Sequence, residues 1–283
     1  MSINETASGA GAAGAARPVV WFDMRSRRSM RSRYSTRLAP LACLATLFAS
    51  ATAHAANDEH WLDVEGQIQY AYYTEDPRAL SNLAVRLDSK EGAQPWQGYY
   101  AGLAYYRLAL SGAAHDTAGA ASAAEHCSAS VDLALQARAD WAESLALAGA
   151  CQGLLAELKA LRAPLAGARS HALLARALEL EPHNPRVLLL AGSLDLEHAV
   201  TAAAASKAHA CGEFAAAIAA FEAARPGEEH VPEWGVAEAY TYRARCDLER
   251  GDAAAARDAL ERALLIAPDF QLARRLVARI TEG

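Results

Sequence analysis

Small residues recur in the middle of otherwise apolar stretches of this chain, at Ala101-Gly102, Ala148-Gly149, Ala191-Gly192 and Ala244. One short pattern repeated over much of a 283-residue sequence restricts the fold to an array in which each unit buries its apolar face against the next. Composition gives the unit its type. The sequence is 53% hydrophobic but only 7% aromatic, so alanine carries much of the apolar content. Alanine loses no side-chain entropy in a helix and lets helix axes approach closely. No stretch alternates cleanly with the period of two that a half-buried strand requires. The expected class is all-α.

The register is clearest near the C-terminus. Ala237 to Phe270 spans 34 residues and resembles the tetratricopeptide repeat (TPR) family at its small and capping places: Ala244 at the eighth, Gly251 at the fifteenth, Ala256 at the twentieth, Ala263 at the twenty-seventh and Pro268 at the thirty-second. The resemblance implies two helices that cross closely at the eighth and twentieth places, a Gly251-Asp252 turn between them and a proline that ends the second. The family's usual Leu and Tyr at the seventh and eleventh places are here Arg243 and Asp247. They stand four apart on one face and are expected to pair as a solvated or groove-facing variant. Earlier, Ala101-Gly102-Leu103-Ala104-Tyr105-Tyr106 is similar to the family's Leu-Gly-x-x-Tyr signature. The resulting expectation is a TPR-type α-solenoid of four hairpins, at about 95–141, 142–184, 185–236 and 237–270. An N-terminal pair over Trp61–Thr74 and Pro77–Asp88 should precede them and a capping helix over Phe270–Ile280 follow. Extra residues at Ser111–Ala123, Leu158–Gly167 and Arg225–Trp234 are expected in turns.

Three segments follow: a leader over 1–55, the helix pair within 56–94, and the solenoid with its cap over 95–283. Arg31, Arg33 and Arg37 precede an apolar run from Leu38 to Phe48, and Ala53-His54-Ala55 offers a small-x-small cleavage site before Ala56. The run is too short to span a bilayer, so the expected location is the periplasm after cleavage, with no transmembrane helix in the mature chain. Residues 1–29 fit no part of a signal peptide and read as an over-long gene model. Of 27 Lys+Arg seven lie in the leader, and of 33 Asp+Glu two do, which leaves a net charge of 20 − 31 = −11. An acidic body does not release counterions from a phosphate backbone, and nucleic acid is not an expected partner.

No zincin helix, phosphate-cradling loop, Gly-x-Ser-x-Gly elbow or CxxC pair occurs, and no enzymatic activity or cofactor is expected. His198, His209 and Cys211 come nearest to a metal cluster, but residues two apart on a helix point about 200° from one another, so no metal site is expected. After cleavage four cysteines remain, Cys127, Cys151, Cys211 and Cys246, which allow three full pairings. In the repeat register Cys127 and Cys151 fall on helices packed side by side, so they are candidates for a disulfide, or else small buried apolar residues.

The family lines its inner face with residues at the second, fifth, ninth, twelfth and thirteenth places of the first helix. The resemblance therefore places Trp96, Tyr99, Leu103, Tyr106 and Arg107 on a groove, with Arg186 from the third hairpin and Glu238, Thr241 and Arg245 from the fourth. Hairpin two offers Glu143, Ala146, Ala150, Gly153 and Leu154 and is nearly bare. Rigid aromatics beside arginines are what recognition surfaces use. The expected function is a periplasmic scaffold that binds a protein or peptide through this groove, with Arg107, Arg186 and Arg245 capturing carboxylates. The alternative is a small-molecule binding component whose pocket is closed by Tyr99, Tyr105 and Tyr106.

Overall fold

The computed structural model describes residues 60–88, 94–198, 204–224 and 232–282; the leader and its cleavage site lie outside them. Among the described residues there are eleven helices and no strand. They are α1 (60–73), α2 (Pro77–Leu87), α3 (Pro95–Gly112), α4 (Thr117–Ala137), α5 (Ala142–Leu158), α6 (Ala163–Leu180), α7 (Pro185–His198), α8 (Ala204–Ala223), α9 (Val236–Glu249), α10 (Ala253–Ile266) and α11 (Gln271–Glu282).

The helix starts follow from short-range chemistry. Asp76 accepts from the N–H groups of Arg78 and Ala79 at 3.1 and 2.9 Å, and Pro77, which lacks the N–H that a first turn leaves unpaired, begins α2. Asp116 caps α4 through Gly119 at 2.9 Å, Asn184 caps α7 through Arg186 at 2.9 Å, and Asp252 caps α10 through Ala255 at 3.0 Å. Gly251 makes the turn before Asp252 at φ +79°, where a side chain is disfavoured.

Consecutive helices pack as hairpins: α3 with α4, α5 with α6, α7 with α8, α9 with α10. Each crossing is close because its first helix presents a small residue. A methyl group at Gly149 would stand 2.8 Å from Leu174 Cγ and 3.2 Å from the Ser170 carbonyl on α6. One at Gly192 would stand 2.9 Å from the Phe214 ring and 3.0 Å from Glu213 on α8. One at Gly102 would overlap Val131 on α4, and Ala244 is fully buried against the last hairpin's core. α5 also touches α3 and α7, so the first helices of the first three hairpins stand side by side, while α9 follows through α8. The all-α solenoid with its N-terminal pair and its capping helix is thus present.

Two expectations need correction. The extra residues at Ser111–Ala123 and Leu158–Gly167 do not form long turns: α3 runs to Gly112 and α4 starts at Thr117, and only 159–162 separate α5 from α6. The insertions are rich in alanine, so extending the helices is favoured over opening a loop. Arg243 pairs with Asp247 as expected, at 3.1 and 3.2 Å; of the two placements expected for the pair, the solvated one does not hold for Asp247, which is buried.

Two disulfides join neighbouring hairpins. Cys127 on α4 is bonded to Cys151 on α5, with Cα atoms 6.0 Å apart, and Cys211 on α8 to Cys246 on α9, with Cα atoms 5.9 Å apart. In both, the second helix of one hairpin is tied to the first helix of the next. Removing the 211–246 bond by Cys211→Ser with Cys246→Ser should cost about 4 kcal/mol, from the entropy of closing its loop. Denaturant unfolding under non-reducing conditions measures this, and an unchanged midpoint would contradict it.

Candidate functional site

The residues expected to line a groove lie along α3, α7 and α9, and the structure turns most of them onto the chain's own helices. Tyr99, Leu103, Tyr106, Arg107 and Thr241 are buried. Trp96 is partly buried, edge-on to Trp141 with centroids 4.5 Å apart. Arg186 is partly buried, and Arg245 keeps partial exposure beside the Tyr242 ring, 5.7 Å from its centroid. Thr241 spends its hydroxyl on the Ala237 carbonyl of its own helix, at 2.7 Å.

The occupant of the inner wall is α1. Its apolar stripe, Trp61, Val64, Ile68 and Ala71, is buried, and so are Glu65 and Gln69 beside it, at 4% and 8% exposure. These two and Tyr73 follow one another at intervals of four, which places them on one helix face. They reach the far end of the chain. Gln69 donates to Glu238 Oε1 on α9 at 3.1 Å, and the Tyr73 hydroxyl donates to Glu238 Oε2 at 2.8 Å. The Arg107 guanidinium from α3 pairs with the same carboxylate. It lies 4.3 Å from the centre of the Tyr72 ring and 5.0 Å from that of Trp234, so its faces meet aromatic π-systems where water would otherwise be. Burial, and then the Glu238 charge, push the Tyr73 hydroxyl well above its ordinary pKa, so it stays a donor.

A second carboxylate, Glu143 on α5, organises the middle of the wall. It accepts from Arg186 Nε at 2.7 Å and from Asn184 Nδ2 at 2.9 Å, and the Tyr99 hydroxyl lies 3.5 Å away. That hydroxyl itself accepts from Trp234 Nε1 at 3.0 Å. Arg107 and Arg186 therefore do hold carboxylates, and the carboxylates are the chain's own. Reversing either charge would strand a buried acid, a change that typically costs about 3–5 kcal/mol.

Glu65 is a third node, accepting from the Tyr100 hydroxyl and from the Glu233 N–H, both at 2.9 Å. Burial raises its pKa to about 7, against the lowering effect of these two bonds and of Arg186. Of the aromatics expected to close a pocket, Tyr105 stacks on His126 with centroids 5.0 Å apart, the Tyr99 hydroxyl lies between Glu143 and Trp234, and the Tyr106 ring centre is 5.8 Å from the Arg107 guanidinium. Cys211 is committed to its disulfide, and His209 Nδ1 lies 2.7 Å from Asp195. Among the described residues no group of three His, Cys, Asp or Glu is placed to hold a metal ion, and no helix is long and apolar enough to cross a membrane.

No protein-family model and no curated protein matches the sequence. Among solved structures, the chain is similar to the HusA haemophore from Porphyromonas gingivalis, with a TM-score of 0.47 and 22% identity over 66% of this chain and 92% of that one. It is also similar to a chain of the APC/C hetero-tetramer Cut9-Hcn1, with a TM-score of 0.36 and 14% identity over 76% of this chain and 41% of that one.

The raised pKa of Glu65 makes a pH prediction. Between its ordinary value of 4.5 and about 7, the folded chain holds a proton that the unfolded chain has released. Stability is therefore greatest below that window and falls as pH rises through it, by about 3 kcal/mol. Denaturant midpoints from pH 5 to 8 should show the decline, and Glu65→Gln should flatten it. An equally steep decline in the variant would remove Glu65 as its source.

Proposed function

We propose that this chain is an exported helical-repeat scaffold that works by holding a protein or peptide partner and performs no chemistry of its own. The observation that carries this reading is the placement of α1. The inner wall already binds one helix through buried hydrogen bonds to Glu238, from residues lying 169 and 165 positions away in the chain. A wall that recognises a helix by hydrogen bonds to a buried carboxylate and by packed aromatics has the chemistry that peptide recognition uses. Trp96 and Arg245 remain partly exposed on its first helices, where a partner can reach them.

Export is supported by the two disulfides, because bonds of this kind form and persist in oxidising compartments. Together with the leader expected over 1–55, this makes the periplasm the proposed location. The net charge of residues 56–283, 20 − 31 = −11, favours a protein over a nucleic acid. A second reading, a small-molecule binding component, is supported by one observation: a cavity of about 570 Å³ between the N-terminal pair and the C-terminal helices. Its walls are not Tyr99, Tyr105 and Tyr106.

A photo-crosslinking residue placed at Trp96 or Arg245 in cells should give one discrete adduct with an envelope protein. The same residue at Leu133, exposed on α4, should not. Adducts of the same mass from all three positions would contradict recognition through the inner wall.

A further inference from the structure

The cavity lies where the α1–α2 turn, the C-terminal end of α3 and the α10–α11 junction meet. Its volume is about 570 Å³, within the usual range of small-molecule sites, roughly 300–1,000 Å³. Tyr72, Leu110, Phe270 and Leu272 give it apolar walls. Tyr73 packs on Phe270 with centroids 4.5 Å apart, which fixes the Phe270 ring.

Glu75 and Arg275 stand at the rim of this space. Glu75 ends α1 in the left-handed conformation, at φ +56°. Its N–H donates to the Tyr72 carbonyl at 3.1 Å and the next N–H, of Asp76, to the Ala71 carbonyl at 2.8 Å. Helices that end with this bond pattern usually place glycine there, because a side chain is disfavoured in that region. The glutamate at this position grips the Arg275 guanidinium at two points, one of them 2.8 Å long. Both side chains are about half exposed, at 54% and 46%, so solvent screens the pair and can reach it. Arg275 is thus held, at the edge of the cavity, by a single half-exposed carboxylate.

We propose that this cavity is a binding site for a small monocarboxylate with an aromatic or aliphatic body. The ligand's carboxylate takes the place of Glu75 on the Arg275 fork, which matches a carboxylate at two points. Its body enters between Tyr72, Phe270 and the two leucines. The site is independent of recognition through the inner wall: its loss leaves the Trp96 and Arg245 adducts intact, and their loss leaves it unaffected.

The test is calorimetric titration of the full mature chain with 3-phenylpropionate, with 3-phenylpropanol and 3-phenylpropylamine as uncharged and cationic counterparts. The acid should bind saturably and more tightly than either counterpart. Glu75→Gly suits the left-handed backbone and removes the competing carboxylate, so it should tighten the acid about tenfold. Arg275→Gln should weaken it by at least about tenfold, with Glu75→Gln as a second gain-of-binding variant should Arg275→Gln not fold. Equal binding of acid and alcohol, tighter binding of the amine, or no tightening in either Glu75 variant would overturn the proposal.

Discussion

The contact on which this architecture depends is the approach of two helix backbones at a position that cannot carry a large side chain. At Gly102, Gly149 and Gly192 the space a methyl group would need is already held by the facing helix, and Ala244 fills the corresponding place of the last hairpin. Ridge-into-groove packing at this range aligns each second helix against its first. It also leaves the opposite side of the first helix free to meet the next hairpin. Substituting any of these glycines would act on the spacing of the array before it acted on any functional surface.

What the stacked first helices present is a wall too polar to be left dry without partners. Glu143, Glu238, Arg107 and Arg186 are removed from water wholly or in large part, and isolated buried charges are severely penalised. Each finds its partner on a different helix, which ties the ends of the array together: Arg107 of α3 and Gln69 of α1 converge on Glu238 of α9. Such pairs add little net stability over an apolar core, but losing one member is costly. They make the closed arrangement specific, and they give a protonatable group such as Glu65 leverage over it.

The local parts of this fold were legible in the sequence because they depend on neighbours. Asp76 before Pro77, Gly251 before Asp252 and the Ala-Gly pairs announce caps, turns and crossings within a few residues. The insertions at Ser111–Ala123 and Leu158–Gly167 depart from expectation because alanine-rich additions extend a helix as readily as they lengthen a turn, while most of the one at Arg225–Trp234 lies outside the described residues. The inner wall was legible only by halves: the repeat register brought Tyr99, Arg107 and Arg186 to its inner face, but their partners depend on how far successive hairpins rotate. That rotation brings α1 to α9, and no short-range pattern carries it. The one available signal was the run of Glu65, Gln69 and Tyr73 at intervals of four, a polar stripe directly beside the apolar stripe of α1. The cysteines show the same limit: each bond joins the second helix of one hairpin to the first helix of the next, yet the composition of the chain allowed two other pairings.

The most direct test of this account compares leucine substitutions at Gly102, Gly149 and Gly192 with alanine at Gly66 and Gly212, two helical glycines with nothing within 4 Å of an added methyl group. In denaturant unfolding each leucine should lose at least about 2 kcal/mol by overpacking, while each alanine should gain about 0.5–1 kcal/mol from its higher helix propensity. Leucines tolerated as well as the alanines would mean that the helices do not meet at these residues, and the close-crossing architecture would be wrong.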